Sequence, residues 1–195
     1  MSILPSNLSG SSHSRAAQDE IVLLGRVAAE ERSAFEALYR LYRPRLLRFI
    51  DGMLRQRALA EEVLDDTMMV VWRKAHTFNH CSKVSTWIFA IAYRQALKAL
   101  KRRESVLPPE LPESAELGPG PELECQQEEL HRQLAQAMES LSADHRAVIE
   151  LTYYLGYGCR EIAEIMDCPV DTVKTRMFYA RRKLRALLEA RKEAI

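Results

Sequence analysis

Apolar residues recur every three or four positions through most of this chain, the spacing that lines one side of an α-helix, and few stretches alternate singly as a half-buried strand requires. The first such stretch predicts a helix over residues 19–29. A second opens at Ser33-Ala34-Phe35-Glu36, a capping-box pattern in which a serine hydroxyl and a glutamate three residues on satisfy free amides. Phe35, Leu38, Tyr39, Tyr42, Leu46 and Phe49 form its buried side. Pro44 falls inside this helix and, lacking an amide hydrogen, is expected to kink or interrupt it. A third helix is predicted over 58–75, with Leu59, Val63, Val70, Val71 and Trp72 turned inward. After a loop over 78–84 comes a fourth over 85–103, with Trp87, Ile88 and Ile91 inward.

Residues 104–121 break the rhythm. They hold Pro108, Pro109, Pro112, Pro119 and Pro121, five of the chain's 8 prolines, with Gly118 and Gly120, and so read as an extended linker. Beyond them Leu123, Gln127, Leu130, Leu134, Met138 and Leu141 mark another helix, and Ser142 is placed to cap one more, through residue 155. The last pattern is a helix-turn-helix. Ile162, Ala163 and Met166 stripe its first helix, and Val173, Met177, Ala180, Leu184 and Leu188 stripe its second. Small Ala163 allows close approach, Pro169 disfavours helical geometry in Cys168, and Asp171 is a good N-cap. The expected fold is all-α: a disordered tail over 1–17, a helical domain over 18–103, a flexible acidic linker over 104–121, and a helix-turn-helix domain over 122–195.

Composition sharpens this. With 195 residues, 47% of them hydrophobic and 28% charged, the chain has room for two small cores. A net charge of only +1 argues against a nonspecific nucleic-acid coat, so any contact with DNA must come from local separation of charge. That separation is visible. Residues 104–130 carry eight glutamates and no lysine or arginine, whereas basic residues dominate from Asp171 onward, with Lys174, Arg181, Arg182 and Arg185 opposite the apolar stripe. A second basic face, Arg94, Lys98, Lys101 and Arg102, lies along the fourth helix, and the third helix opens with Glu61, Glu62, Asp65 and Asp66 and closes with Arg73 and Lys74, the order its dipole favours.

No apolar run is long enough to span a membrane and the N-terminus carries no signal pattern, so a cytoplasmic protein is expected. Cys81, Cys125, Cys159 and Cys168 are scattered without paired spacing, which predicts reduced thiols. A metal or redox site built from His76, His80 and Cys81 with Cys159 or Cys168 is the alternative, but the ligands have no recognised spacing. There is no glycine-rich phosphate loop and no nucleophile with a partnered base, so no catalytic residue, cofactor or small-molecule substrate is expected.

Three motifs in order carry a resemblance. Ala60-Glu61-Glu62-Val63-Leu64-Asp65-Asp66-Thr67 with Val71-Trp72-Arg73-Lys74-Ala75 comes first, then Ser85-Thr86-Trp87-Ile88 with Ile91-Ala92-Tyr93-Arg94. Glu161-Ile162-Ala163 with Thr172-Val173-Lys174-Thr175-Arg176 and Ala180-Arg181 closes the series. Over nearly all of residues 33–188 the chain resembles the extracytoplasmic-function (group IV) sigma factors of bacterial RNA polymerase. It departs from them in having Asp171 where glycine is usual, Asp167 where glycine is frequent, Tyr179 where arginine is frequent, and Asn79-His80-Cys81-Ser82-Lys83 in place of an Arg-Gly-Asp-like loop. Aspartate tolerates a capping or left-handed conformation, so the turn is expected to survive.

The resemblance implies a dissociable initiation subunit with three partners: core RNA polymerase, promoter DNA and an anti-sigma factor. Glu61, Glu62, Asp65, Asp66 and Arg73 would dock on the polymerase, charge complementarity guiding the encounter. Asn79, His80, Ser82 and Lys83 would read bases opened at the minus-ten element, while Arg94, Lys98, Lys101, Arg102 and Arg103 hold the backbone there. Trp87 is expected in the core; Tyr93 is open between core and stacking face. Thr172, Lys174, Thr175 and Arg176 would enter the major groove at the minus-thirty-five element, Arg176 as base reader, with Arg181, Arg182 and Arg185 on phosphates. The linker glutamates suit equally a chain threading a basic polymerase channel and a self-repelling spacer. A plain regulator with a helix-turn-helix is the rival, but it leaves the acidic third helix and the basic fourth unexplained.

Overall fold

A computed structural model of the chain describes residues 9–106, 134 and 136–192. Among them there is no strand. The helices are α1 (Ser9–Ala28), α2 (Arg32–Leu54), α3 (Arg57–Lys74), α4 (Val84–Val106), α5 (Ala143–Ile149), α6 (Cys159–Met166) and α7 (Val170–Lys192). A 3-10 turn, Ala75–Thr77, extends α3, and a π-helical turn, Glu150–Tyr154, extends α5.

α1 to α4 form one group, with α2 packed on α1, α3 and α4. Leu38, Tyr42, Leu46, Phe49, Ile50 and Met53 bury the inward side of α2, and Val63, Leu64, Met68 and Val71 that of α3. α5, α6 and α7 form the second group, centred on Val148, Ile162, Ile165, Val173 and Ala180. The two groups are not held apart: α4 lies against α6 and α2 against α5, so that one core runs through both.

Element boundaries differ from the sequence expectation where long-range contacts outweigh local signals. The tail expected over 1–17 is helical from Ser9, because once Leu24 and Val27 anchor α1, each added residue costs only propagation and not a new nucleus. The Ser33 capping box does not form. α2 starts at Arg32 after Glu31, and the preceding turn is fixed instead by left-handed Glu30 and by Arg26, whose guanidinium meets the Glu31 carboxylate at 2.7 Å. Pro44 leaves α2 unbroken; its ring is on the exposed side, where water can replace the missing amide. α4 runs through Val106, past the expected start of the linker, most of which lies outside the described residues along with Leu123, Gln127, Leu130 and Cys125. Ser142 does cap α5, its hydroxyl accepting from the His145 amide at 3.4 Å.

Candidate nucleic-acid interface

The helix-turn-helix is built by a short chain of local reasons. Glu161, in the first turn of α6, accepts a hydrogen bond from the Gly158 amide at 3.0 Å, closing one of the free donors at that helix end. Ile162, Ala163, Ile165 and Met166 are buried. α6 ends at Asp167, whose φ of 50° is left-handed, and its amide and that of Cys168 both return to the Ala163 carbonyl. Pro169 then supplies the carbonyl that receives the Thr172 and Val173 amides, so α7 begins at Val170. Asp171 is therefore not the N-cap but a first-turn acid, held by Lys174 at 2.9 Å, and its carbonyl accepts the Thr175 hydroxyl at 2.8 Å.

With Val173, Met177 and Ala180 buried, the opposite side of α7 presents Lys174, Thr175, Phe178, Tyr179, Arg181, Arg182 and Arg185 to solvent. Arg185 is paired with Glu189 at 2.8 Å, and the Arg182 guanidinium stands 5.4 Å from the centre of the Tyr179 ring. Thr172 is half-buried. Arg176 is off this face: its guanidinium pairs with Asp144 of α5 at 2.5 Å and approaches the Cys168 sulfur at 3.7 Å. A base contact by Arg176 requires that pair to be broken.

On the first group, Arg94, Lys98, Lys101 and Arg102 are exposed along α4 and Arg103 is half-buried. Arg102 is partly engaged by Glu62, 3.0 Å away on α3. In the loop before α4, Asn79 accepts the Cys81 amide at 3.1 Å, and His80 adopts a left-handed φ of 60° with its ring 4.8 Å from that of Phe78. Trp87 stacks edgewise on Phe78 at 5.7 Å, and Trp72 on Phe35 at 5.0 Å, so both indoles are part of the packing. Tyr93 is buried: its hydroxyl donates to Asp144 at 2.7 Å, and burial, then that carboxylate, push the phenol well above its ordinary range. Glu61, Glu62, Asp65, Asp66 and Arg73 are exposed on α3, with Asp65 accepting the Tyr39 hydroxyl at 2.8 Å.

The seam between the groups takes Lys83 and Glu161 from the sequence motifs and adds residues that the sequence did not single out. Lys83, from the loop, meets Glu161 of α6 at 2.8 Å; burial alone would raise that carboxyl, but the ammonium and the Gly158 amide hold it below the usual range. Tyr157 is buried, its ring 5.4 Å from Phe89 and its hydroxyl 3.4 Å from the Arg45 guanidinium. Arg55 pairs with Glu139 at 2.7 Å, and Arg146 donates to the Met53 carbonyl at 2.9 Å. Glu150 is buried against Gly52, where a Cβ would come within 2.9 Å of its carboxyl carbon, so a larger residue there would have to displace that carboxylate. An acid inside the apolar run Val148-Ile149-Glu150-Leu151 was the available signal. Among the described residues no group of three or more His, Cys, Asp or Glu is gathered to hold a metal; Cys81 and Cys159 are exposed and Cys168 half-buried. No helix among them is long and apolar enough to cross a membrane.

Residues 38–106 match the family model for Sigma-70 region 2, and residues 131–184 that for Sigma-70, region 4. The ECF RNA polymerase sigma factor RpoE of Cereibacter sphaeroides is 30% identical over 162 residues, covering 80% of this chain and 86% of its own. The ECF RNA polymerase sigma factor SigL of Mycobacterium tuberculosis is 28% identical, covering 83% and 93%. Among solved structures, the sigma factor RpoE of Bartonella quintana, crystallised with the anti-sigma factor NepR, superposes with a TM-score of 0.62 at 25% identity over 80% of this chain and 96% of that one. CnrH, solved with the cytosolic domain of CnrY, shares the fold with a TM-score of 0.66 over 88% and 97%.

Proposed function

The chain belongs to the extracytoplasmic-function sigma factors of the sigma-70 family, which direct RNA polymerase to particular promoters, and from that premise we propose how its residues divide the work. It acts by binding, in the cytoplasm, and forms no covalent intermediate. α3 docks on core polymerase through Glu61, Glu62, Asp65, Asp66 and Arg73. The loop residues Asn79, His80, Ser82 and Lys83 capture bases of the opened minus-ten element, and Arg94, Lys98, Lys101, Arg102 and Arg103 hold its backbone. α7 enters the major groove of the minus-thirty-five element with Thr172, Lys174 and Thr175 foremost, while Arg181, Arg182 and Arg185 bind phosphates. Residues 18–103 and 122–195 serve as the two promoter-binding units, and an anti-sigma factor holds the chain inactive, as the NepR complex of its relative suggests.

The observation that carries this reading is two exposed cationic faces, on α4 and α7, in one chain whose closed arrangement cannot use both. The two promoter elements lie 25 base pairs apart by name, about 85 Å at 3.4 Å per pair. A compact chain of this length has a radius of gyration of only about 16 Å. DNA binding at both elements therefore demands that the seam open. The 27 residues from 107 to 133 can, if fully drawn out, reach about 90 Å, enough to let it. Opening frees Tyr93 from Asp144 across the seam, whereas Arg176 and Asp144 lie in the same group, so Arg176 joins the base readers only when DNA itself displaces that pair.

The decisive measurement mixes the purified chain with core polymerase and a library of promoter fragments. Specific start sites are expected. Duplex binding without polymerase binding would instead make the protein a plain regulator. Within the bound complex, Arg176→Ala should relax base preference at one position by about 1–3 kcal/mol. Arg185→Ala should weaken all promoters alike and lower the salt slope by about one.

A further inference from the structure

We propose that closure of the two helical groups is linked to a proton on Glu150: the closed chain holds this carboxyl neutral, and opening of the seam releases the proton. The proposal rests on the reading that the seam opens before both promoter elements are bound. Glu150 belongs to the π-helical turn after α5, yet its carboxyl is pressed on the backbone of α2 in the other group, at Gly52. The side chain is only 10% exposed, and Oε2 accepts no hydrogen bond among the described residues. Opening lifts α2 off this carboxyl and returns it to water.

Charges from each neighbouring element flank the site. α2 contributes Arg48, Asp51 and Arg55; Arg57, at the start of α3, is 3.9 Å from Asp51, and Arg55 is paired with Glu139. Arg146 of α5 donates to the Leu141 and Met53 carbonyls. Arg48 reaches toward the Glu150 carboxylate, but weakly. Its Nε is 3.9 Å from Oε2, beyond a hydrogen bond; its side chain is 56% exposed, and its guanidinium lies over the Tyr154 ring at 4.0 Å. Burial therefore decides, and it raises the carboxyl above the ordinary range.

The direction of the linkage follows. In the open chain Glu150 ionises in the ordinary carboxylate range, and in the closed chain only above it. Between those limits the ratio of closed to open chain falls by up to tenfold per pH unit, the slope of one released proton. Elsewhere along the seam the signs or ranges differ. Glu161, held low by Lys83, weakens closure only on acidification, and the raised phenols of Tyr93 and Tyr157 ionise far above neutrality. A rise in pH thus favours the open, promoter-competent form with no partner involved.

The test compares the full-length parent with Glu150→Gln and Glu150→Leu, both neutral at every pH, in binding to core polymerase from about pH 5.5 to 8. The difference between parent and variants should be smallest at the acidic end. As pH rises the parent is expected to gain affinity over both variants, by up to tenfold per pH unit. Calorimetry in buffers of different ionisation heat should count up to one more proton released by the parent on binding. The leucine variant keeps the comparison usable if glutamine disturbs the packing, and circular dichroism checks both folds. Parallel pH profiles for parent and variants overturn the proposal; a constant deficit in the variants would place the carboxyl on polymerase and not in the seam. A parent that loses ground as pH rises overturns it too, because attraction to Arg48 would then hold the closed form. Failure of the parent to bind core polymerase at any pH would fail the sigma reading itself, and the proposal with it.

Discussion

Glu150 is 8% exposed, and its Oε2 accepts no hydrogen bond among the described residues, with Arg48 Nε 3.9 Å away. Burial pushes its carboxyl above the ordinary range, and Arg48 and Arg55 only partly pull it back. A raised value means that the packed structure holds the neutral acid more readily than the carboxylate. The contribution to stability is therefore whole below the usual carboxylate range and declines as pH climbs through the raised one. Glu150→Gln, neutral throughout, should remove that decline. Urea denaturation is expected to find the variant more stable than the parent near pH 7.5 and indistinguishable from it near pH 4. Should the parent be the more stable at the higher pH, the Arg48 attraction outweighs burial and the argument is wrong. Arg176 makes a similar point: a residue chosen for exposed chemistry is occupied by Asp144, a partner 32 positions earlier that no local pattern announces.

At the level of elements, the turn joining α6 to α7 was legible and the entry to α2 was not. Asp167, Cys168 and Pro169 hold their own reasons for turning: a side chain that tolerates left-handed geometry, then a ring that forbids helix before it. The start of α2 depended on Arg26 reaching Glu31, a contact between helices that outcompeted the serine cap. The turn gives a clean prediction. Asp167→Val places a β-branched residue at a φ of 50° and should cost about 1–2 kcal/mol, whereas Asp167→Gly should be neutral or slightly stabilising. Thermal denaturation of both variants checks it. An equal loss in both would mean that the Asp167 side chain, and not the backbone geometry, secures the turn.

For the whole molecule the question is how firmly the two helical groups close. Tyr157 sits centrally in the seam, buried against Phe89 with Arg45 at its hydroxyl, whereas Lys83 with Glu161 is a partly exposed pair of the kind that contributes little. Tyr157→Ala should therefore shift the chain toward open forms. Small-angle scattering is expected to report a radius of gyration above the parent's, with helical content by circular dichroism nearly unchanged. A radius that stays at the parent value would show that Arg55, Arg146 and the α4–α6 packing hold the seam without it.

The sequence by itself determined the all-helical class, the helix-turn-helix and the two cationic faces, because periodicity, turn residues and same-face charges are properties of neighbours three or four positions apart. Only the tertiary structure decided which of those charges are free. Arg176 and Lys83 were expected to face DNA and Tyr93 was open between core and stacking face, and each is met by Asp144 or Glu161 from a distant part of the chain. Burial of Glu150 against Gly52 was likewise beyond a one-dimensional reading, since it depends on two helical groups choosing one seam. Local spacing fixes what a residue can offer; the packing of distant helices fixes whether the offer is already taken.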